Sequence, residues 1–176
     1  MKTLRIAGLL FLALPLWCQP KAVEVFGQIG YGKAWDDDGS LGAGVVYGGT
    51  VTLPLSPRWA VDLDVQHNRT AYHASAGHTF GTRRTLVSPA ILYRRGSDRV
   101  YWFAGGGFGG RIDHMYARGA AGHLAFGRSE NGTAIPARTG VVGGLTKHLL
   151  VRADLYFVFA CLAPDAGVKL GIGYRF

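Results

Sequence analysis

Asp62 and Asp64 are the two residues of this sequence whose types and spacing come closest to a catalytic arrangement. Residues two apart in a β-strand lie on the same face, so the two carboxylates could serve as an acid and a base. The same positions would equally suit two partners for Arg84 and Arg152. We favour the ion-pair interpretation, and the sequence predicts neither a catalytic residue nor enzymatic activity.

Gly105, Gly107 and Gly110 have the spacing of the glycine fingerprint of dinucleotide-binding proteins. That fingerprint binds pyrophosphate only where a helix N-terminus follows it within a βαβ unit. The next residues, 111–115, show no capped amphipathic helix. We therefore interpret these glycines as small residues that allow close packing, and we predict no cofactor.

Two groups of polar residues could in principle bind a metal ion. Four histidines fall in two predicted loops without close ligand spacing and without cysteine or acidic companions; they are His73, His78, His114 and His123. The run Asp36, Asp37 and Asp38 could attract Ca²⁺, although a solvated acidic turn is the simpler interpretation. We predict no metal site.

The last ten residues show the pattern that must position these side chains. Large apolar residues alternate with small or charged ones over 167–176, and a period of two predicts a β-strand with one apolar face. The same alternation recurs and predicts eight strands of roughly ten residues, the length that a tilted membrane strand needs. These strands are 23–31, 41–53, 59–66, 82–94, 100–110, 134–145, 149–159 and 167–176.

The connections between these strands alternate between long and short, as in barrels that cross a membrane. Segments 67–80 and 111–133 are polar or irregular in pattern, and we predict that they form long external loops, with strand extensions as an alternative at either end of 111–133. Pro89 lies inside the fourth predicted strand and has no N–H to donate, so we predict a bulge or local irregularity there.

The face opposite the apolar one carries glycine, alanine, serine and threonine together with isolated charges. Nine charged residues project from it: Glu24, Asp62, Asp64, Arg84, Arg94, Arg138, Arg152, Asp154 and Lys169. Small residues suit the narrow lumen of an eight-stranded barrel, in which buried charges must pair because unpaired burial is costly. We favour a plug of ion pairs in the lumen, and a gated polar conduit is the alternative.

The N-terminus has the features of a secretory signal peptide. Lys2 and Arg5 precede the apolar run 6–17, which is too short for a membrane span, and we assign residues 1–22 to the signal and 23–176 to one barrel domain. Lipidation at Cys18 is a second possibility, but Trp17 precedes it where a small residue is expected. If Cys18 is removed, Cys161 is the only remaining cysteine and no intramolecular disulfide can form.

The formal net charge is +8, and removal of the signal leaves +5. This modest excess suits anionic lipid headgroups or phosphates, and it is too dispersed to indicate nucleic acid. Arg111, Arg118 and Arg128 make the predicted third loop basic, and lipopolysaccharide phosphates are a candidate partner for it.

The C-terminal alternation of Val168, Leu170, Ile172, Tyr174 and Phe176 resembles the closing strand of bacterial outer-membrane β-barrel proteins. The run 55–59, Leu-Ser-Pro-Arg-Trp, looks like the first periplasmic turn of such proteins. The resemblance is to the family of small barrels that includes OmpA-like, OmpX-like and OmpW-like domains.

This resemblance implies an all-β fold, an eight-stranded antiparallel up-and-down transmembrane β-barrel. It also implies a porin-like cell-envelope protein of the bacterial outer membrane, a monomer in contact with outer-membrane lipid and lipopolysaccharide. The barrel-assembly machinery would read the C-terminal strand. A soluble sandwich or lipocalin-like barrel is the alternative, but it would expose a face made largely of small residues.

Three functions remain open at this point. The first is a structural or surface-interaction role with a side-chain-filled lumen, and the second is a narrow channel for small or hydrophobic solutes, as in OmpW-like barrels. The third is modification of lipid A, which is less favoured because the His-x-Ser-Asn run of the deacylase family is missing; Ser129, Glu130 and Asn131 have no nearby histidine in that spacing.

Overall fold

A computed structural model describes residues 22–36, 39–73, 79–118, 124–160 and 164–176. The predicted signal, apart from residue 22, lies outside these ranges. So do Asp37, Asp38, His78, His123 and Cys161. No helix among the described residues is both long and apolar enough to cross a membrane.

Nine antiparallel β-strands make up the part of the chain that the structure describes. They are β1 (Glu24–Asp36), β2 (Gly39–Pro54), β3 (Trp59–His73), β4 (Thr79–Gly96), β5 (Val100–Gly107), β6 (Gly109–Arg118), β7 (Leu124–Gly144), β8 (Leu149–Phe159) and β9 (Asp165–Arg175). Strands β5 and β6 both pair with β4 and β7, so together they occupy one strand position in the barrel. Because β1 pairs with both β2 and β9, the sheet closes into a ring with eight strand positions. This confirms the predicted eight-stranded barrel.

The break between β5 and β6 falls opposite Pro89, where the sequence predicted an irregularity. The Phe108 amide donates to the Pro89 carbonyl over 3.2 Å, and Phe108 belongs to neither strand. Proline offers no N–H in return, so the ladder is interrupted there. The predicted bulge is wrong for β4 itself, because its register with β3 runs without a shift through the pair Leu63 and Pro89.

Two of the predicted long loops are mostly strand. Segment 67–80 lies largely in β3 and β4, which pair as far as His73 and Thr79. Segment 111–133 lies largely in β6 and β7, which pair from Gly109 with Ala134 to Arg118 with Leu124. The loop prediction is wrong for 67–80, while the strand extensions allowed at the ends of 111–133 cover most of that segment. The apolar alternation underestimated these strands because outward residues such as Arg69, Arg83 and His114 are polar while backbone pairing continues.

Short turns join the strands at one end of the barrel, and each carries a side-chain cap. Ser56, Ser97 and Thr146 accept hydrogen bonds from the amides of Trp59, Val100 and Leu149 over 3.1, 3.1 and 2.9 Å. Each acceptor lies three residues before its donor. This repeated arrangement satisfies the amide at which each strand starts.

The outer wall is a continuous apolar surface. Ile29, Leu170 and Ile172 are 62, 66 and 66% exposed, far more than a soluble core would allow. Trp59, Tyr93 and Trp102 pack edge-on at the short-turn end, with centroids 5.4 and 5.7 Å apart. Aromatic rings at the edge of an apolar band are typical of a membrane-spanning barrel, in which hydrocarbon contacts the outer face.

The inner face is more apolar than the sequence indicated. Two clusters of buried side chains line it: one comprises Phe26, Ala60, Ala90, Leu92, Tyr101, Phe103, Val142 and Leu150, and the other comprises Val46, Leu86, Ala134, Tyr156 and Val158. Inward glycines make room for the rings, since a Cβ at Gly32 or Gly140 would overlap Tyr156 or Phe103. Aromatic and aliphatic side chains therefore line the inner face beside the small residues.

Candidate functional site

The barrel lumen holds the charged residues of the candidate site in three groups along its length. We name these the central cluster, the long-hairpin cluster and the short-turn cluster. The strand alternation directs their side chains inward, because residues two apart share a face.

The central cluster contains three carboxylates and three cations, which are Asp62, Asp64, Asp154, Arg138, Arg152 and Lys169. Arg152 contacts Asp62 over 3.0 Å and Asp154 over 2.8 Å. Lys169 lies 3.2 Å from Asp64, and Arg138 lies 3.5 Å from Asp62 and 3.7 Å from Asp64. The equal number of opposite charges makes the cluster formally neutral.

Polar and aromatic side chains complete the surroundings of these ions. Thr50 donates to Asp64 over 2.7 Å, and Gln28 donates to Asp154 over 2.9 Å. The guanidinium carbon of Arg152 lies 4.3 Å from the centre of the Phe103 ring. Hydrogen bonds and cation–π contact offset part of the cost of moving these charges out of water.

The long-hairpin cluster contains Arg84, Arg111, Asp113 and Asp165. Arg84 contacts Asp113 over 2.9 Å and also binds Asp165, while Arg111 contacts Asp113 over 2.6 Å. All four residues are nearly completely buried. These contacts join β4, β6 and β9 across the lumen.

The short-turn cluster is organised around Glu24. Arg175 contacts its Oε1 through Nε at 3.1 Å and Nη2 at 2.8 Å, and the Tyr101 hydroxyl donates to Oε2. Arg94 lies 3.9 Å from Glu24 and stacks on the Tyr101 ring at 4.0 Å. A cavity of about 500 Å³ opens beside this cluster at the short-turn end.

All nine charges predicted to face the lumen do so and form ion pairs. One pairing was wrong, because Arg84 contacts Asp113 and Asp165 rather than Asp62 or Asp64. Sequence reasoning also missed Asp113 and Asp165, which it placed in loops. Extending the alternation of β6 and β9 by two or three residues would have found them.

The basic loop proposed from Arg111, Arg118 and Arg128 needs correction. Arg111 is 3% exposed and lies in the lumen, so it cannot contact a lipid headgroup. Arg118 is exposed, and Arg128 is exposed but bound to Glu130 over 2.6 Å.

Those remaining candidates that the structure describes bring no reactive group together. Gly105 and Gly107 lie in β5 without a following helix, and a Cβ at either would overlap a carbonyl oxygen of β4. His114 lies on the exposed wall, 2.6 Å from the Ser129 hydroxyl. Within the described ranges, no three residues of the metal-binding types are grouped closely enough to hold a metal ion.

A closed ring of eight antiparallel strand positions, with an apolar exterior and an ion-paired interior, defines a transmembrane β-barrel. The arrangement can fix strand register and block the lumen. Both Asp62 and Asp64 are bound to cations, which leaves neither in the environment of a general base.

Solved structures with this fold are small bacterial outer-membrane barrels. Neisserial surface protein A superposes with a TM-score of 0.68 at 13% identity, covering 88% of this chain and 99% of that chain. Ail of Yersinia pestis, crystallised with the heparin analogue sucrose octasulfate, gives 0.63 at 15%, with 88 and 97% coverage. The N-terminal barrel of Pseudomonas aeruginosa OprF gives 0.61 at 15%, with the same coverage.

At these identities the likeness concerns the fold, which is that of the small outer-membrane barrels predicted from the sequence. No protein-family model matches the sequence. No curated protein matches it either.

Proposed function

We propose that this protein is a non-enzymatic barrel of the bacterial outer membrane with a structural or surface-interaction role and a filled lumen. In this proposal the signal within residues 1–22 directs export and is removed. The long hairpins face the outside and the short turns face the periplasm, as is usual for such barrels. Similarity of fold to outer-membrane barrels supports this location.

The central cluster is the observation that carries the proposal. Its members come from β3, β7, β8 and β9, so the ion pairs cross the lumen rather than follow one wall. Apolar layers formed by Phe103 and Val158, among others, complete the packing of the lumen. Opening a continuous path would therefore require several ion pairs to break together.

Planar-bilayer recordings of the refolded protein test the filled lumen. We expect no stable conductance from the native sequence. An R138A/R152A variant removes two long side chains from the central cluster and should show openings if the packed ions are the barrier. Stable channels in the native protein would overturn the proposal and favour the narrow channel.

The channel has one observation in its favour. The side-chain amide of Asn68 and the hydroxyl of Thr70 are buried without a hydrogen-bond partner among the described residues. Buried polar groups of this kind commonly bind water, which would hydrate the lumen at the long-hairpin end. An N68L/T70V variant distinguishes a narrow channel from a filled lumen, because it should alter conductance only if solute passes these residues.

The proposed partners follow from the same placement. Outer-membrane lipid and lipopolysaccharide would surround a monomeric barrel, and nucleic acid would not bind. The barrel-assembly machinery would recognise β9, whose outward side chains include the exposed Leu170, Ile172 and Tyr174. A Tyr174→Ser/Phe176→Ser variant should assemble more slowly in cells while refolding normally in detergent, and unchanged assembly would contradict this partner.

The non-enzymatic assignment is tested by lipid A analysis. Mass spectra of lipid A from cells with and without the protein should be identical. A species differing by an acyl chain or phosphate would favour the lipid-modifying alternative.

A further inference from the structure

Two arginines lie directly opposite each other on the outer wall. Arg69 on β3 pairs in register with Arg83 on β4, and both side chains are exposed. Directly opposed residues in an antiparallel pair have Cβ atoms roughly 5 Å apart, so like charges repel unless an anion lies between them. Among the described residues, neither arginine has a carboxylate within ion-pair distance.

The arginine pair lies at the upper rim of the apolar band. Along β3 the outward residues run from Trp59 through Leu63 and Val65 to Arg69. Ten residues of a tilted strand span roughly 25 Å, which matches the height of the apolar band of an outer-membrane barrel. Arg69 and Arg83 are therefore placed at headgroup depth, on the side of the long hairpins.

A third guanidinium extends the basic surface. Arg83 and Arg118 each lie 5.7 Å from the centre of the Tyr116 ring. The ring occupies the space beside Gly81, where a Cβ would collide with it, so the tyrosine lies close to β4 and between two cations. This surface, which we call the rim patch, comprises Arg69, Arg83, Tyr116 and Arg118.

The neighbouring side chains add hydrogen-bonding groups but no negative charge. His67 lies 3.0 Å from the Thr85 hydroxyl, and His114, opposite Arg83, lies 2.6 Å from the Ser129 hydroxyl. Glu130 on β7 pairs in register with Asp113, which faces the lumen, and is bound to Arg128. The rim patch is therefore electrostatically unbalanced in the part of the chain that the structure describes.

We propose that the rim patch binds the phosphate groups of a phosphorylated glycolipid of the outer leaflet. Guanidinium groups bind phosphate through paired charge-assisted hydrogen bonds, and the opposed arginines can hold one phosphate between them. Arg118 lies where a second phosphate of the same headgroup would reach. This assignment rests on the proposed outer-membrane placement, but it does not depend on whether the lumen conducts.

The test uses the full mature barrel refolded in phosphatidylcholine vesicles that contain either bis-phosphorylated lipid A or its dephosphorylated form. Bound lipid is counted by native mass spectrometry after extraction into mild detergent. We expect R69Q/R83Q to lower lipid A retention by roughly tenfold or more, because two surface cations are lost. The matched control R58Q/R95Q removes two exposed arginines from the short-turn end and should retain lipid A as the native protein does.

Three results would overturn the proposal. Native-like retention of lipid A by R69Q/R83Q would show that the rim patch is not the site. Equal loss of lipid A in R69Q/R83Q and R58Q/R95Q would show that retention depends only on the net charge of the protein. Complete displacement of lipid A by excess inorganic phosphate would assign the rim patch to the free anion. Heat-modifiable migration confirms that each variant is a folded barrel, and conductance is recorded on the same samples, so a failure of the filled-lumen proposal is seen separately.

Discussion

Lys169 and Asp64 face each other across the lumen from strands that are not neighbours in the wall. The Nζ of Lys169 on β9 lies 3.2 Å from both carboxylate oxygens of Asp64 on β3, and both residues are nearly completely buried. The pair therefore connects two strands that β1 and β2 separate in the wall. Its contribution to the stability of the barrel depends on both charges being present.

Removing one member of this pair should destabilise the barrel strongly. Lys169→Met leaves Asp64 near one remaining cation, Arg138, at 3.7 Å. Loss of one partner from a buried ion pair costs about 3–5 kcal/mol. Urea unfolding in lipid vesicles would measure the change, and the double variant D64L/K169M should recover part of the loss because no charge is then left unpaired.

The matched control for that experiment is an ion pair whose cation is exposed and whose carboxylate, Glu130, is 18% exposed. Arg128 and Glu130 lie 2.6 Å apart, and the Arg128 side chain is 66% exposed. Arg128→Gln should cost less than about 1 kcal/mol, since water screens the interaction. Equal effects of Lys169→Met and Arg128→Gln would contradict the buried network.

The packing of Phe103 against Gly140 makes a second prediction. A Cβ at Gly140 would overlap the Ala153 carbonyl oxygen and fall within 3 Å of the Phe103 ring, so Gly140→Ala should destabilise by about 1–3 kcal/mol through overpacking. Gly110→Ala is the control, because no atom lies within 4 Å of the added Cβ. Unfolding midpoints of the two variants give the comparison, and F103L/G140A should recover only the part of the loss that the ring causes, because the overlap with the Ala153 carbonyl oxygen remains.

The membrane itself makes a third prediction. Leu170 and Leu145 are 66 and 64% exposed, so arginine at either position would be equally harmless in a soluble protein. Leu170 lies in the middle of the apolar band, and Leu170→Arg should cost about 2–4 kcal/mol, whereas Leu145→Arg at the turn should cost at most about 1 kcal/mol. Equal unfolding free energies in vesicles would contradict the transmembrane placement.

Glu24 provides a fourth prediction. Arg94 and Arg175 both contact its carboxylate, so Glu24→Ala leaves two cations beside one another and should cost about 3–5 kcal/mol. Tyr101→Phe removes only the hydroxyl that donates to Glu24 and should cost about 1 kcal/mol. Denaturation in vesicles measures the free energy of unfolding of both variants. A larger loss for Tyr101→Phe than for Glu24→Ala would contradict the central role of Glu24 in the short-turn cluster.

Much of the wall was predictable from local pattern. The outward positions Ile29, Ile91 and Leu155 and the inward positions Asp62 and Arg152 follow from a period of two. Predictions failed where that signal stopped before the strand did. Arg69 and Arg83 interrupt the apolar alternation, yet β3 and β4 remain paired beyond them.

The inner apolar clusters show a second limit. Alternation places Phe26 on the same face as Glu24, whereas the pattern of 100–110 leaves the facing of Phe103 open, and neither assignment predicts that the two rings join one buried cluster. The structure shows that a glycine on one strand makes room for a ring from another, as Gly140 does for Phe103. Such complementarity between distant residues has no signature within a single strand.

The sequence by itself determined the class of structure and the face on which most residues of the predicted strands lie, because alternation is a local property of the extended chain. The tertiary structure decided which charges meet. Arg84 binds Asp113 and Asp165 rather than Asp62 or Asp64, and Arg69 faces Arg83, because strand register and closure of the ring bring them together. Register depends on pairing between segments far apart in the chain, and periodicity within one segment does not specify it.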